Sequence, residues 1–129
     1  MLPMDEIQIE RAAGSASDVT ILTLKGPLTI STLFDLQAAF RQPDLKGTII
    51  DFSGVPYVDS AGLGLVLSHW AHTQRTGVKF AAVGISERVK VLLEMTKVST
   101  LLPMFPTAAD AEKAFSGVSN SSSVASTRP

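Results

Sequence analysis

The stretch Thr48-Ile49-Ile50-Asp51-Phe52-Ser53-Gly54-Val55-Pro56-Tyr57-Val58-Asp59-Ser60-Ala61-Gly62-Leu63-Gly64-Leu65 changes its hydrophobic period part-way. Thr48 to Phe52 is apolar and β-branched apart from Asp51, as suits a strand buried on both faces. Gly54 and Pro56 end it. From Leu63 onward, Leu63, Val66, Leu67 and Trp70 recur at i, i+3, i+4 and i+7, the apolar stripe of a helix. Asp59 and Ser60 therefore stand at the turn from loop into helix, where either can accept a bond from an orphan amide. Asp51 keeps two readings: a charge held by backbone amides near that turn, or a cap of the following loop.

Gly62 and Gly64 fall inside the first helical turn. Each costs about 1 kcal/mol against alanine in a helix interior, so helix stability alone does not account for them. Glycine admits close approach of another backbone or of a ligand. The helix start thus offers a hydroxyl, free N–H donors, a positive dipole end and no bulky side chain. A phosphate on Ser60 would suit such a place.

Asp59-Ser60-Ala61-Gly62-Leu63-Gly64, behind Ile49-Ile50-Asp51-Phe52-Ser53, resembles the core signature of STAS domains. It is most similar to that of bacterial anti-sigma factor antagonists, and the order of elements is similar from about Ile7 to Phe115, including the turn Gly84-Ile85-Ser86. The resemblance implies that Ser60 is phosphorylated by a partner kinase, the anti-sigma factor itself, and that a separate phosphatase reverses the step. It implies a partner-binding turn made of Asp59, Ser60, Ala61, Gly62, Leu63 and Gly64, with Thr29 beside it. Leu65 joins this set on the helix wheel: rotated by about 200° from Leu63, it leaves the core stripe for the side of Ser68 and His72. In the family a run like Gly-Glu-Leu-Asp commonly follows the second strand. Here it reads Gly26-Pro27-Leu28-Thr29, so Thr29 stands where the aspartate is expected and Pro27 where the glutamate often is.

The remaining chain fits one α/β domain with a mixed sheet of about five strands and about four helices. Ile7–Ile9 and Val19–Lys25 alternate and form a first hairpin, with Ala12 to Asp18 as its turn. Thr32, with Asp35 three residues on, resembles a capping box ahead of Leu33, Leu36 and Phe40. The central helix runs from about Ala61 to Arg75 and is closed by Gly77. Val78–Val83 is a strand, and Ser86 caps a helix that buries Val89, Leu92 and Leu93. A short strand from Leu101–Leu102 to Phe105, between Pro103 and Pro106, belongs at a sheet edge. Thr107 and Asp110 cap a last helix with Ala111, Ala114 and Phe115 inside. The domain is thus expected to span residues 1–115, with a disordered Ser-rich tail at 116–129.

Bulk properties narrow the function. At 129 residues and 45% apolar content, with positive mean hydropathy, one domain with a real core is expected. A net charge of −1 leaves no footprint for nucleic acid or an anionic membrane. No apolar run approaches the ~20 residues of a membrane span, and the acidic N-terminus is unlike a signal peptide. The chain has no cysteine, which fits a cytoplasmic protein and leaves no thiolate nucleophile or ligand.

Enzyme readings fare poorly. A nucleophile elbow needs Gly-x-Ser-x-Gly, and Val58 occupies the first place. The nearest histidine, His69, lies nine helical residues from Ser60, about 13.5 Å of rise. Gly62-Leu63-Gly64 lacks the Gly-Lys-Ser/Thr end of a phosphate-binding loop, so ATP belongs to the partner. His69 and His72 have no nearby acid to complete a metal site and read as solvated surface histidines. No cofactor or metal is expected. The leading expectation is a binding module, an anti-sigma factor antagonist. An accessory or scaffold STAS subunit of another complex, for example in lipid transport, is the alternative, followed by a small hydrolase. A homodimer is left open.

Overall fold

The computed structural model describes residues 6–15 and 18–117. In chain order the elements are β1 (Gln8–Ala13), β2 (Val19–Lys25), α1 (Leu33–Phe40), β3 (Gly47–Gly54), α2 (Ser60–Thr76), β4 (Phe80–Val83), α3 (Glu87–Met95), a 3-10 turn at Val98–Thr100, β5 (Met104–Phe105) and α4 (Ala108–Gly117). The strands form one sheet in the order β1-β2-β3-β4-β5. β1 runs antiparallel to β2 and every later pair is parallel. This is the mixed α/β sheet expected from the sequence, with β5 at an edge.

β3 lies in the middle because it is apolar on both faces. Ile50 and Phe52, with Leu22 and Leu24 of β2, face the main core, closed by Leu33 and Leu36 of α1, Leu63 and Val66 of α2, and Val89 and Leu93 of α3. On the other face Ile49, Val19, Ala81 and Val83 pack with Ala111 of α4. The parallel strands β2, β3 and β4 send their carboxyl ends, and so the loops into α1, α2 and α3, to one edge of the sheet.

Helix ends follow their expected chemistry with one exception. Asp59 caps α2, and Gly77 closes it in the left-handed region at φ 75°. The Ser86 hydroxyl accepts from Val89 N–H at 3.2 Å, and the Thr107 hydroxyl from Asp110 N–H at 3.2 Å. Thr32 does not cap α1. Its hydroxyl instead donates to Pro27 O at 2.8 Å and accepts from Thr29 N–H at 2.9 Å. It is buried and ties the loop ahead of α1, so the expected capping box is replaced by a loop brace.

Other boundaries and faces also differ from expectation. β1 continues to Ala13, through residues assigned to the turn. Leu101 and Leu102 precede β5 instead of joining it. Ala114 is exposed, because Ala111 and Phe115 fill the seam of α4. The last helix takes in Ser116 and Gly117, and the remainder of the expected tail lies outside the described residues.

The largest correction concerns α2. Its buried row is Gly62, Leu63, Val66, His69 and Thr73, while Leu67 and Trp70 are only half-buried. His69 is not a solvated surface histidine; it is 8% exposed. Its ring stacks on Phe40 at 3.8 Å between centroids, 4° from parallel, with Phe80 edge-on at 5.9 Å. Its Nε2 lies 3.2 Å from Thr48 Oγ1. Desolvation by burial, and secondarily the charge of His72, lower its pKa from 6.5 to about 4. His72 itself is exposed.

Candidate functional site: the Asp59–Ser60 turn

The turn between β3 and α2 is held against the loop between β2 and α1. Leu28 and Val58 form a parallel bridge. Leu28 N–H donates to Tyr57 O at 3.1 Å, and Asp59 N–H donates to Leu28 O at 3.1 Å. The Asp59 carboxylate then uses both oxygens: Oδ1 accepts from Gly62 N–H at 2.9 Å and Oδ2 from Ile30 N–H at 3.0 Å. One side chain thus caps the helix and fastens the neighbouring loop.

Ser60 is the first residue of the 17-residue helix α2, and it is exposed. Asp59, not Ser60, is the cap, so the serine hydroxyl is not engaged in capping. As the first two helical residues, Ser60 and Ala61 have amides with no intrahelical partner. The positive end of the helix dipole adds to them.

The two glycines do different work. A Cβ on Gly62 would lie 2.8 Å from Leu28 Cγ and closer still to the Leu28 carbonyl oxygen, so Gly62 exists to let α2 meet the loop. A Cβ on Gly64 would meet nothing within 4 Å. Gly62 is buried and Leu63, at 7% exposure, is a core residue. The burial of Leu63 follows from its place on the apolar stripe, and Gly62 is covered by the close approach of the Leu28 loop. Leu65 is also less free than the helix wheel suggests: it is half-buried and packs against the main core. Ser60 and Gly64 are exposed, whereas Ala61, Asp59 and Thr29 are half-buried.

Thr29 shapes the loop. Its hydroxyl accepts from Ser31 N–H at 3.2 Å, and its carbonyl accepts from Thr32 N–H at 3.0 Å and Leu33 N–H at 2.8 Å. The Asp51 carboxylate is held by a backbone amide near the end of its own strand: Oδ1 accepts from Ser53 N–H at 2.9 Å.

Three neighbours of this turn escaped the sequence reading. Ile30 and Phe34 are 60% and 63% exposed. Phe34 was visible as an aromatic outside the Leu33–Leu36–Phe40 stripe; Ile30 gave no such signal. The third is Arg88 of α3, whose guanidinium lies 5.6 Å from the centre of the Tyr57 ring.

The model of the STAS domain family matches residues 10–111. The chain belongs to the STAS domain family. No curated protein matches it in sequence. Among solved structures, an anti-sigma factor antagonist from Mycobacterium paratuberculosis is 20% identical with a TM-score of 0.75, covering 88% of this chain and 97% of its own. The anti-sigma factor antagonist SpoIIAA in its unphosphorylated form is 22% identical with a TM-score of 0.61, over 89% of this chain and 99% of that one. SpoIIAA from Bacillus is also solved in the phosphorylated form, 18% identical with a TM-score of 0.62, over 84% and 98%. The same fold occurs in the murine anion transporter Slc26a9, at 23% identity and a TM-score of 0.61, where 74% of this chain matches 17% of the transporter. Among the described residues no helix is long and apolar enough to cross a membrane.

Proposed function

We propose that this STAS domain is an anti-sigma factor antagonist whose switch is the hydroxyl of Ser60. It is a cytoplasmic binding module, not an enzyme. With Ser60 free it captures an anti-sigma factor that is itself a serine kinase. Phosphorylation of Ser60 ends the capture, and a phosphatase restores it. The observation that carries this reading is the exposed Ser60 at the start of α2, on a turn fastened by Asp59 to both the helix and the Ile30 loop. A hydroxyl placed there reaches a partner's active site without local unfolding. The likeness in fold to antagonists, one of them solved with and without phosphate, supports the same reading.

Phosphorylation is expected to act at the interface and leave the fold intact. The phosphate adds about −1.5 to −2 charges at neutral pH. Against the helix dipole an exposed anion gains about 0.3–1 kcal/mol, and repulsion from Asp59 opposes it. A partner surface shaped for a neutral hydroxyl must instead desolvate the new charge, which is costly when it is unpaired.

The test is incubation with each purified anti-sigma serine kinase of the source genome and ATP, followed by intact mass and peptide mapping. One added phosphate, absent in Ser60→Ala, supports the proposal. Ser60→Ala should bind and resist the switch, and Ser60→Asp should fold normally and bind more weakly. Phosphate transfer that persists in Ser60→Ala, or none from a kinase that binds, refutes it.

A further inference from the structure

We infer that the face beside Ser60 recognises its protein partner by apolar contact through Ile30 and Phe34, and that the matching face of the anti-sigma kinase is apolar and poor in charge. This rests on the reading of Ser60 as the switch of a protein-binding module.

The two side chains are placed together by the backbone. The bonds from Thr32 N–H and Leu33 N–H to Thr29 O wind the loop into a helical turn that runs on into α1. Ile30 lies in that turn and Phe34 in the first turn of α1, so both stand at the start of the helix. Both stand more than half exposed, at 60% and 63%. The turn is fixed to the switch, since the Ile30 amide donates to Asp59 Oδ2, one residue before Ser60.

The charge pattern specifies the partner. No Asp, Glu, Lys or Arg occurs from Gly26 to Phe34; the exposed charges bordering this stretch are Asp35, the next residue, and Arg88 of α3 beside Tyr57. From Phe52 to Gln74 there is only Asp59, and backbone amides occupy both of its oxygens. The nearest basic side chain in sequence, Lys25, pairs with Glu10 at 3.1 Å. A partner lysine or glutamate brought against Ile30 and Phe34 would lose its water to side chains that offer it no hydrogen bond. An apolar partner face would give up only unfavourable hydration.

The experiment titrates the chain with each purified anti-sigma serine kinase of the source genome, at 50 and 500 mM NaCl. The variants are Ile30→Ser, Phe34→Ser and, as a control on an exposed apolar residue of α3, Met95→Ser. All three alter exposed side chains, and unchanged thermal midpoints confirm folding. The expected result is a loss of roughly tenfold or more in affinity for Ile30→Ser and for Phe34→Ser, as for anchors of an interface. Met95→Ser should bind like the parent chain, and salt should change the parent affinity less than about threefold, because neutral faces release few counterions. Binding unchanged by Ile30→Ser and Phe34→Ser, equally weakened by Met95→Ser, or weakened tenfold by salt would overturn this inference and leave the switch reading standing. If no kinase binds or phosphorylates the chain, the proposed function falls, and this inference with it.

Discussion

Gly62 and Gly64 stand two residues apart in one helix, yet the same substitution should move stability in opposite directions. At position 62 a methyl group would come within 2.8 Å of Leu28 Cγ and 2.9 Å of the Leu28 carbonyl carbon. That carbonyl also accepts the Asp59 N–H bond, so it cannot retreat without loosening the turn. Overpacking of this kind costs typically 1–3 kcal/mol, and because backbone must move, the upper part of that range applies. Alanine returns about 1 kcal/mol of helix propensity, which leaves Gly62→Ala less stable by about 2 kcal/mol. At position 64 nothing lies within 4 Å, so Gly64→Ala keeps the propensity gain of about 1 kcal/mol. At roughly 4–8 °C per kcal/mol for a domain near 100 residues, the two variants should differ by roughly 12–24 °C in midpoint. Thermal and urea unfolding followed by circular dichroism measures both, with equal m values confirming that the comparison is of stability. Gly62→Ala at or above the parent stability would refute the close-approach argument. A destabilised Gly64→Ala would show that the helix meets something there after all.

Asp59→Ala should cost about 1–2 kcal/mol through the lost cap, with the Ile30 amide also left unpaired; faster hydrogen exchange at Ile30 and Gly62 is the readout. His69 should make stability depend on acid. Its folded pKa of about 4 lies below the ordinary 6.5, so the neutral ring is the form that the fold favours. That contribution is complete above pH 6.5 and is lost as pH falls toward 4, by at most about 3 kcal/mol. Denaturant titrations at pH 7.0, 5.5 and 4.5 should show the decline, and His69→Leu should flatten it; an equally steep profile in the variant would place the acid sensitivity elsewhere.

Much of the fold could be read from the sequence because its signals were local. The switch from a β-branched run to a 3.6-residue period at Leu63 marked the β3–α2 junction. Gly77, Ser86 and the Thr107–Asp110 pair ended or began helices by their own hydrogen bonds. What could not be read was the rotation of α2. Ranking its residues by hydrophobicity favoured Leu67 and Trp70, yet the close contact of Gly62 with Leu28 fixes which side faces the sheet. That rotation brings His69 and Thr73 into the core in line with Val66. A histidine is tolerated there because Thr48 offers it a hydrogen-bond partner and Phe40 a flat apolar face. Neither partner is near it in sequence. Thr32 failed for a related reason: the buried carbonyl of Pro27 competes for the same hydroxyl, and it prevails over a helix end.

The candidate site shows the same division between local and long-range information. Ser60 and Asp59 could be named from their motif, but the motif could not say that Asp59 is already occupied. Its two oxygens hold Gly62 and Ile30, so it acts as a fastening for the turn. The loop from Gly26 to Phe34 carries no charge of its own, and beside the Ser60 hydroxyl the exposed features are the open backbone at Gly64 and the side chains of Ile30 and Phe34. Phosphorylation would add about −1.5 to −2 charges in a single step, next to the residue that fastens the turn. A face that already bore several charges would change proportionately less. If Ser60 is the switch proposed above, a neutral loop beside it lets a single phosphate make the largest proportional change in charge.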